Sequence, residues 1–209
     1  GSQGLVLHFA ACTRNTRSVH AIRFLKQFIS NPGDVGSITP SSRQLASVVI
    51  DAARVRHANV VVEFGPGTGA ITKVLVPALR PGAKFFALEI NGDFVKLLRE
   101  QFPGTAVHQD SAENTPKYLN EIGETHCDAI VSGLPWTFFA EPLQDNLLSA
   151  ATESLREGGL FATYMYVSSM PMPSSIKFRT KLRKRFSQVG MSRIVWRNFP
   201  PAIVIWGRK

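Results

Sequence analysis

The string Glu63-Phe64-Gly65-Pro66-Gly67-Thr68-Gly69 follows a β-branched run, Val60-Val61-Val62, and precedes a helical pattern. Glycines between a strand and a helix let the backbone turn tightly and let a ligand approach it closely. Tight turns need glycine for structural reasons too, so this string alone leaves ligand binding open. Glu89 adds a second feature. It ends the next strand, 20 residues after Gly69, where a carboxylate can accept hydrogen bonds from both hydroxyls of a ribose. Gln109-Asp110-Ser111 follows the third strand. Asp110 is placed either to accept from an adenine amine or to cap the helix after it. A fourth string, Ser132-Gly133-Leu134-Pro135-Trp136, follows the fourth strand, at the carboxyl edge where open α/β sheets keep their reacting groups.

These residues can meet only if the strands that carry them lie side by side. From residue 59 strands and helices alternate, which predicts a doubly wound, mostly parallel sheet covered on both faces. Strands are expected at Val60–Val62, Phe85–Leu88, Thr105–His108, Ala129–Val131, Leu160–Tyr166, Ile194–Trp196 and Ala202–Trp206. Helices are expected at Ile71–Leu79, Asp93–Phe102, from Thr115, Glu141–Arg156 with Gly158-Gly159 as its stop, and Ile176–Phe186. Two helices precede the sheet. One covers Ser18–Ser30, with Ile22, Leu25, Phe28 and Ile29 on one side and Arg23 and Lys26 beside them. The other follows Thr39 as N-cap and Pro40 at the first helical position, and runs through Leu45, Val48, Val49 and Ala53. The chain thus divides into an N-terminal helical segment, residues 1–58, and a sheet core, residues 59–209.

A chain of 209 residues with 44% hydrophobic composition is long enough for one sizeable core. No apolar run reaches the ~18 residues that span a bilayer, and Leu5-Val6-Leu7 is too short for a signal-peptide core. Cys12 and Cys127 form no metal-ligand pattern and read as reduced thiols of a cytoplasmic protein, with a disulfide as the lesser alternative. The net charge is +9, a field that attracts nucleic acid or an anionic membrane face. Arg14, Arg17, Arg23 and Lys26 form one basic group; Lys177, Arg179, Lys181, Arg183, Lys184 and Arg185 form another, in which Arg179, Lys181 and Arg183 either meet lipid phosphate or belong to a solvated helix face.

The Gly turn reads GxGxG after an acidic residue, where dinucleotide dehydrogenases more usually carry GxGxxG. It resembles motif I of the class I methyltransferases that use S-adenosylmethionine (SAM). The resemblance implies a Rossmann-like, seven-stranded sheet with a reversed last strand. The Ser132–Trp136 string looks like the substrate motif of amino-group methyltransferases, in which a backbone carbonyl and a polar side chain hold the target nitrogen and an aromatic ring stacks beside it. Ser132 stands where base-modifying enzymes usually carry Asn or Asp.

The turn and the Leu-Pro-aromatic string are similar to those of ribosomal RNA adenine dimethyltransferases. That family has a separate C-terminal helical domain, for which nothing remains after the last strand here, so nucleic acid is the less favoured partner. Four segments resemble the bacterial phospholipid N-methyltransferases of the phosphatidylethanolamine type more closely: Phe24 through Ser42, Glu63–Gly69, Ser132–Pro135 and Asn198-Phe199-Pro200-Pro201-Ala202. Ornithine-lipid methyltransferases look similar as well. The resemblance implies that Thr39, Glu63, Gly65, Gly67, Gly69, Glu89, Ile90, Asp110, Ser111 and Ser132 bind SAM. It implies a catalytic set of Ser132, Gly133, Leu134 and Tyr164, with the Tyr164 ring or hydroxyl near a lipid amine. The first helix would then lie on the anionic inner face of the membrane, pack on the core, or do both by closing over the cofactor as a lid.

Overall fold

The computed structural model describes residues 42–209. Thr39, Cys12, the basic group Arg14–Lys26 and the helix expected over Ser18–Ser30 lie outside the described residues.

Seven strands form one sheet in the order β3-β2-β1-β4-β5-β7-β6. Val60–Phe64 (β1) sits between Lys84–Glu89 (β2) and Cys127–Ser132 (β4), parallel to both. Ala106–Gln109 (β3) extends the sheet beyond β2, and Leu155–Tyr166 (β5) lies parallel to β4. Ala202–Arg208 (β7) runs antiparallel to β5 and to Gln188–Met191 (β6). Every residue of β1 is buried, as expected for a β-branched strand covered on both faces. The order turns around between β1 and β4, so the carboxyl ends of the central strands open a crevice there.

Helices cover both faces. Arg43–Ala52 (α1) begins with Ser42, not Thr39, as its cap: the Ser42 hydroxyl accepts from the Leu45 N–H at 3.1 Å. Its Leu45, Val49 and Ile50 pack in one cluster with Val61, Ala129, Val131, Ala162 and Val204 of the sheet. α1, placed by its sequence in the N-terminal segment, therefore shares the core of the sheet. Thr72–Leu75 (α2) joins the same cluster, and Gly92–Gln101 (α3) sets Val95 and Leu98 against Ala87 and Val107. The opposite face carries Thr115–Glu121 (α4), Glu141–Ser154 (α5) and Pro173–Arg185 (α6). There Tyr118 of α4 packs near Phe86, and Phe178 of α6 stacks on Trp136 at 4.8 Å. Among the described residues no helix is long and apolar enough to cross a membrane.

Three expected boundaries move for physical reasons. The α5 helix ends at Ser154, before the Gly158-Gly159 stop, because Leu155 adopts extended backbone and pairs with Cys127. The strand expected at Ile194–Trp196 is reduced to a single bridge, Val195 to Ala202. The edge strand is instead Gln188–Met191, whose short polar–apolar–Gly pattern hides it in the sequence. Its Gly190 lies against the Trp206 ring, where a Cβ would overlap the indole. Finally, β5 starts at Leu155 rather than at Leu160, and it contains Tyr164.

Candidate active site

The carboxyl ends of β1 to β4 bring the predicted residues together through a chain of backbone bonds. The Gly65 N–H donates to the Leu88 carbonyl at 2.9 Å, the Asp110 N–H to the Glu89 carbonyl at 3.1 Å, and the Gly133 N–H to the Phe64 carbonyl at 2.8 Å. Gly65 and Gly133 touch so closely that a Cβ on either would overlap the other loop. Gly67 is different. Its φ of +56° favours glycine, and a Cβ there would meet nothing within 4 Å among the described residues. The turn thus has its open side at Gly67, where a ligand can lie on the backbone.

Glu89 is 3% exposed. Its Oε2 accepts from the Gly67 N–H at 3.0 Å and its Oε1 from the Asn91 N–H at 2.9 Å. Burial raises its pKa above the ordinary 4.5, against the pull of those N–H donors. Ile90, half-buried, follows it and precedes Asn91, the N-cap of α3. Glu63 lies entirely inside. Its Oε2 accepts from the Thr72 hydroxyl at 2.8 Å, while its Oε1 has no partner among the described residues. Burial pushes its pKa from 4.5 to about 8, and nearby Glu89 adds to the rise, against the Thr72 hydrogen bond.

Asp110 and Ser111 are tied to their own loop. Asp110 accepts from the Ser111 N–H at 2.8 Å, from Asn114 Nδ2 at 2.7 Å and from the Tyr118 hydroxyl at 2.9 Å. Burial would raise its pKa, but these donors outweigh burial and hold it below 3.8. The Ser111 hydroxyl caps the 3₁₀ turn Ala112–Asn114 by accepting from the Glu113 N–H.

Ser132 is fully buried. Its hydroxyl accepts from Trp136 Nε1 at 3.0 Å and from the Leu134 N–H at 3.3 Å, and its carbonyl accepts from the Thr163 hydroxyl at 3.0 Å. Trp136 is consequently a core residue, stacked between β5 and α6, and not a ring presented to substrate. Gln144 of α5 fastens the same turn from outside, donating to the Trp136 carbonyl at 2.7 Å. Tyr164 stands on β5 opposite Val204, its ring 5.9 Å from that of Tyr166, on the face covered by α1. His108 stacks on Tyr118 at 4.1 Å.

Several of these supports escaped the sequence reading. Thr72, Asn91, Thr163 and Gln144 are ordinary polar residues in helices, loops and strands, and only tertiary contact shows what they hold. The basic helix α6 is a further case: Lys177 and Lys181 pair with Glu141, and Lys181 and Arg185 with Asp145. Three of its six cations therefore face α5 acids, while Arg179, Arg183 and Lys184 make no ion pair among the described residues.

The family model described as ribosomal RNA adenine dimethylase matches residues 40–159. An ornithine lipid N-methyltransferase from Singulisphaera acidiphila is 32% identical over 86% of this chain and 91% of its own length. A ribosomal RNA small subunit methyltransferase A from Synechococcus sp. is 34% identical over 48% of this chain, which spans only 36% of that relative. An O-methyltransferase from Bacillus cereus solved in complex with SAH shares the fold at a TM-score of 0.63 and 12% identity, with 91% of each chain covered. The open Gly67 turn, the buried Glu89 carboxylate and the unpartnered Glu63 oxygen suit the cofactor of this group. The protein is a SAM-dependent methyltransferase, and its chain belongs to the ribosomal RNA adenine dimethylase family of the class I fold.

Proposed function

We propose that the protein methylates the primary amine of a membrane lipid head group, with phosphatidylethanolamine as the first substrate to test and an ornithine lipid as the alternative. The observation that carries this reading is the extent of the match to the ornithine lipid N-methyltransferase, which runs through nearly the whole of both chains. The likeness to the ribosomal RNA enzyme stops at about half of this one.

The geometry supports a lipid amine over a base. Recognition of an exocyclic base amine needs a side-chain acceptor, and Ser132 already gives its hydroxyl to Trp136 and Leu134. What the loop offers is backbone and shape. SAM supplies an electrophilic methyl carbon on a sulfonium. In this proposal the turn Gly65–Gly69 and Glu89 fix the cofactor, with Asp110 and Ser111 at its adenine end and Thr39 as a further contact. Gly133 and Leu134, bonded to β1 through the Gly133 N–H, would align the amine for attack on the methyl group. Such alignment is the larger part of catalysis in a one-step transfer. A lipid ammonium must lose its proton before its nitrogen lone pair can form the new bond. In this proposal Leu134, itself 9% exposed, and Tyr164 would exclude water around the amine, which favours its neutral form. The residues ahead of α1 keep the role of lid and membrane contact, at the inner face of the cytoplasmic membrane.

Incubation with methyl-labelled SAM and three acceptors decides the matter: phosphatidylethanolamine vesicles, ornithine lipid vesicles and ribosomal RNA. Label is expected in a lipid amine. Label in adenine alone would overturn the proposal.

A further inference from the structure

The loop between β6 and β7 holds two large aromatic side chains in water. Trp196 is 71% exposed and Phe199 81% exposed, while their neighbours Val195 and Asn198 are buried. The loop is fixed, not frayed. The Val195 N–H donates to the Ala202 carbonyl at 2.8 Å. Asn198 accepts from the Ser42 N–H at 2.8 Å and donates to the Pro200 carbonyl at 2.7 Å. The Asn-Phe-Pro-Pro-Ala string is thus a clamp that turns Val195 and Asn198 inward and Trp196 and Phe199 outward.

Its place in the fold is equally definite. Tyr166 pairs with Ala202, so the loop leaves the sheet at the same edge as the carboxyl ends of β1, β4 and β5. The Val167 N–H donates to the Pro201 carbonyl at 2.9 Å, which sets the segment leading into α6 beside it. That segment exposes Met172 and Ile176, and the loop itself adds Ile194. Arg193 and Arg197 flank the aromatics, are exposed, and make no ion pair among the described residues. From Gly158 to Lys209 the sequence has ten Lys and Arg and no Asp or Glu.

We propose that the β6–β7 loop, with the first turn of α6, inserts into the interface of a bilayer bearing anionic lipids and so sets the active-site edge against the membrane. Trp and Phe belong at the boundary between head groups and acyl chains, and arginines beside them meet lipid phosphates. Methionine and isoleucine beside the aromatics favour acyl chains over nucleic acid, because aliphatic side chains offer no stacking face to a base. The proposal rests on the reading of the substrate as a lipid, and it names the surface that would deliver such a substrate to Ser132–Trp136.

The test uses the full chain and vesicles of equal parts phosphatidylglycerol and phosphatidylcholine. Trp136 is buried and Trp206 half-buried, so they give a steady background against which Trp196 reports. Vesicles should shift its emission to the blue, and lipids brominated on the acyl chain should quench it. Replacing both aromatics, Trp196→Ala with Phe199→Ala, should weaken vesicle binding by roughly ten- to a hundredfold, the loss expected when two buried apolar side chains are removed. Thermal melting should be unchanged. Trp196→Phe should keep the affinity and lose the shift. Unchanged vesicle affinity in the double variant overturns the proposal. So does emission that responds to RNA and not to vesicles, or a wild-type dimer that the double variant abolishes. Insertion without label in any lipid amine would leave this surface standing and sink the lipid-amine reading instead. Label in lipid with no effect of the double variant would do the reverse.

Discussion

Glu63 is a buried acid whose second oxygen has no partner among the described residues. Its pKa of about 8 against an ordinary 4.5 means that the folded chain holds a proton which the unfolded chain releases in that interval. Stability should therefore fall as pH rises from about 4.5 to about 8. Glu89 is shifted the same way. Glu63→Gln should flatten this slope, which melting temperatures across pH 5–8 would show as a smaller drop than in the wild type. Gly67 and Glu89 make a second prediction. Gly67→Val places a side chain in the open side of the turn at a φ of +56°. Glu89→Gln removes the charge that would meet a ribose and turns an amide NH2 toward one of the two N–H donors. Calorimetry should find SAM binding abolished in the first and weakened by about 1–3 kcal/mol in the second.

At the scale of elements, the turn after β4 is held by a small polar knot of Ser132, Trp136, Thr163 and Gln144. Ser132→Ala strands the buried indole N–H and should lower stability by about 1–3 kcal/mol. Adding Trp136→Phe removes the stranded donor but shrinks a packed ring. The two changes together should cost less than the sum of each alone, as chemical denaturation in a double-mutant cycle would show. The Gly turn, Glu89 and the positions of β1 to β5 along the chain were legible in the sequence because they are local: glycines, β-branched runs and an acid at a strand end. The knot was not legible, since its members come from β4, the turn, β5 and α5. Trp136 illustrates the difference. An aromatic after a Leu-Pro pair resembles a substrate platform, and only the stack on Phe178 shows it to be core. The edge strand was missed because Gly190 is there for the Trp206 ring, a contact no periodicity records.

For the whole molecule, charge is the ruling quantity. Up to Glu157 the chain carries 14 Lys and Arg against 15 Asp and Glu; all ten cations beyond it are unmatched in sequence. The α5 acids neutralise part of α6; Arg183 and Lys184 of that helix, and Arg193 and Arg197 beside the exposed aromatics, make no ion pair among the described residues. Vesicle binding should fall as salt rises from 0.1 M to 1 M, because the screening length shrinks from ~10 Å to ~3 Å. The part that survives high salt should depend on Trp196 and Phe199, and sedimentation with vesicles at both salts would separate the two. Contact between Gly65 and Gly133 has a bearing on how such enzymes can be recombined. Because each turn fills the space a side chain on the other would need, neither can be transplanted alone. A chimera that imports residues 132–136 from a relative must import the turn after β1 with them. Crossover points that fall between the two should yield few folded progeny, and the heritable module is the pair.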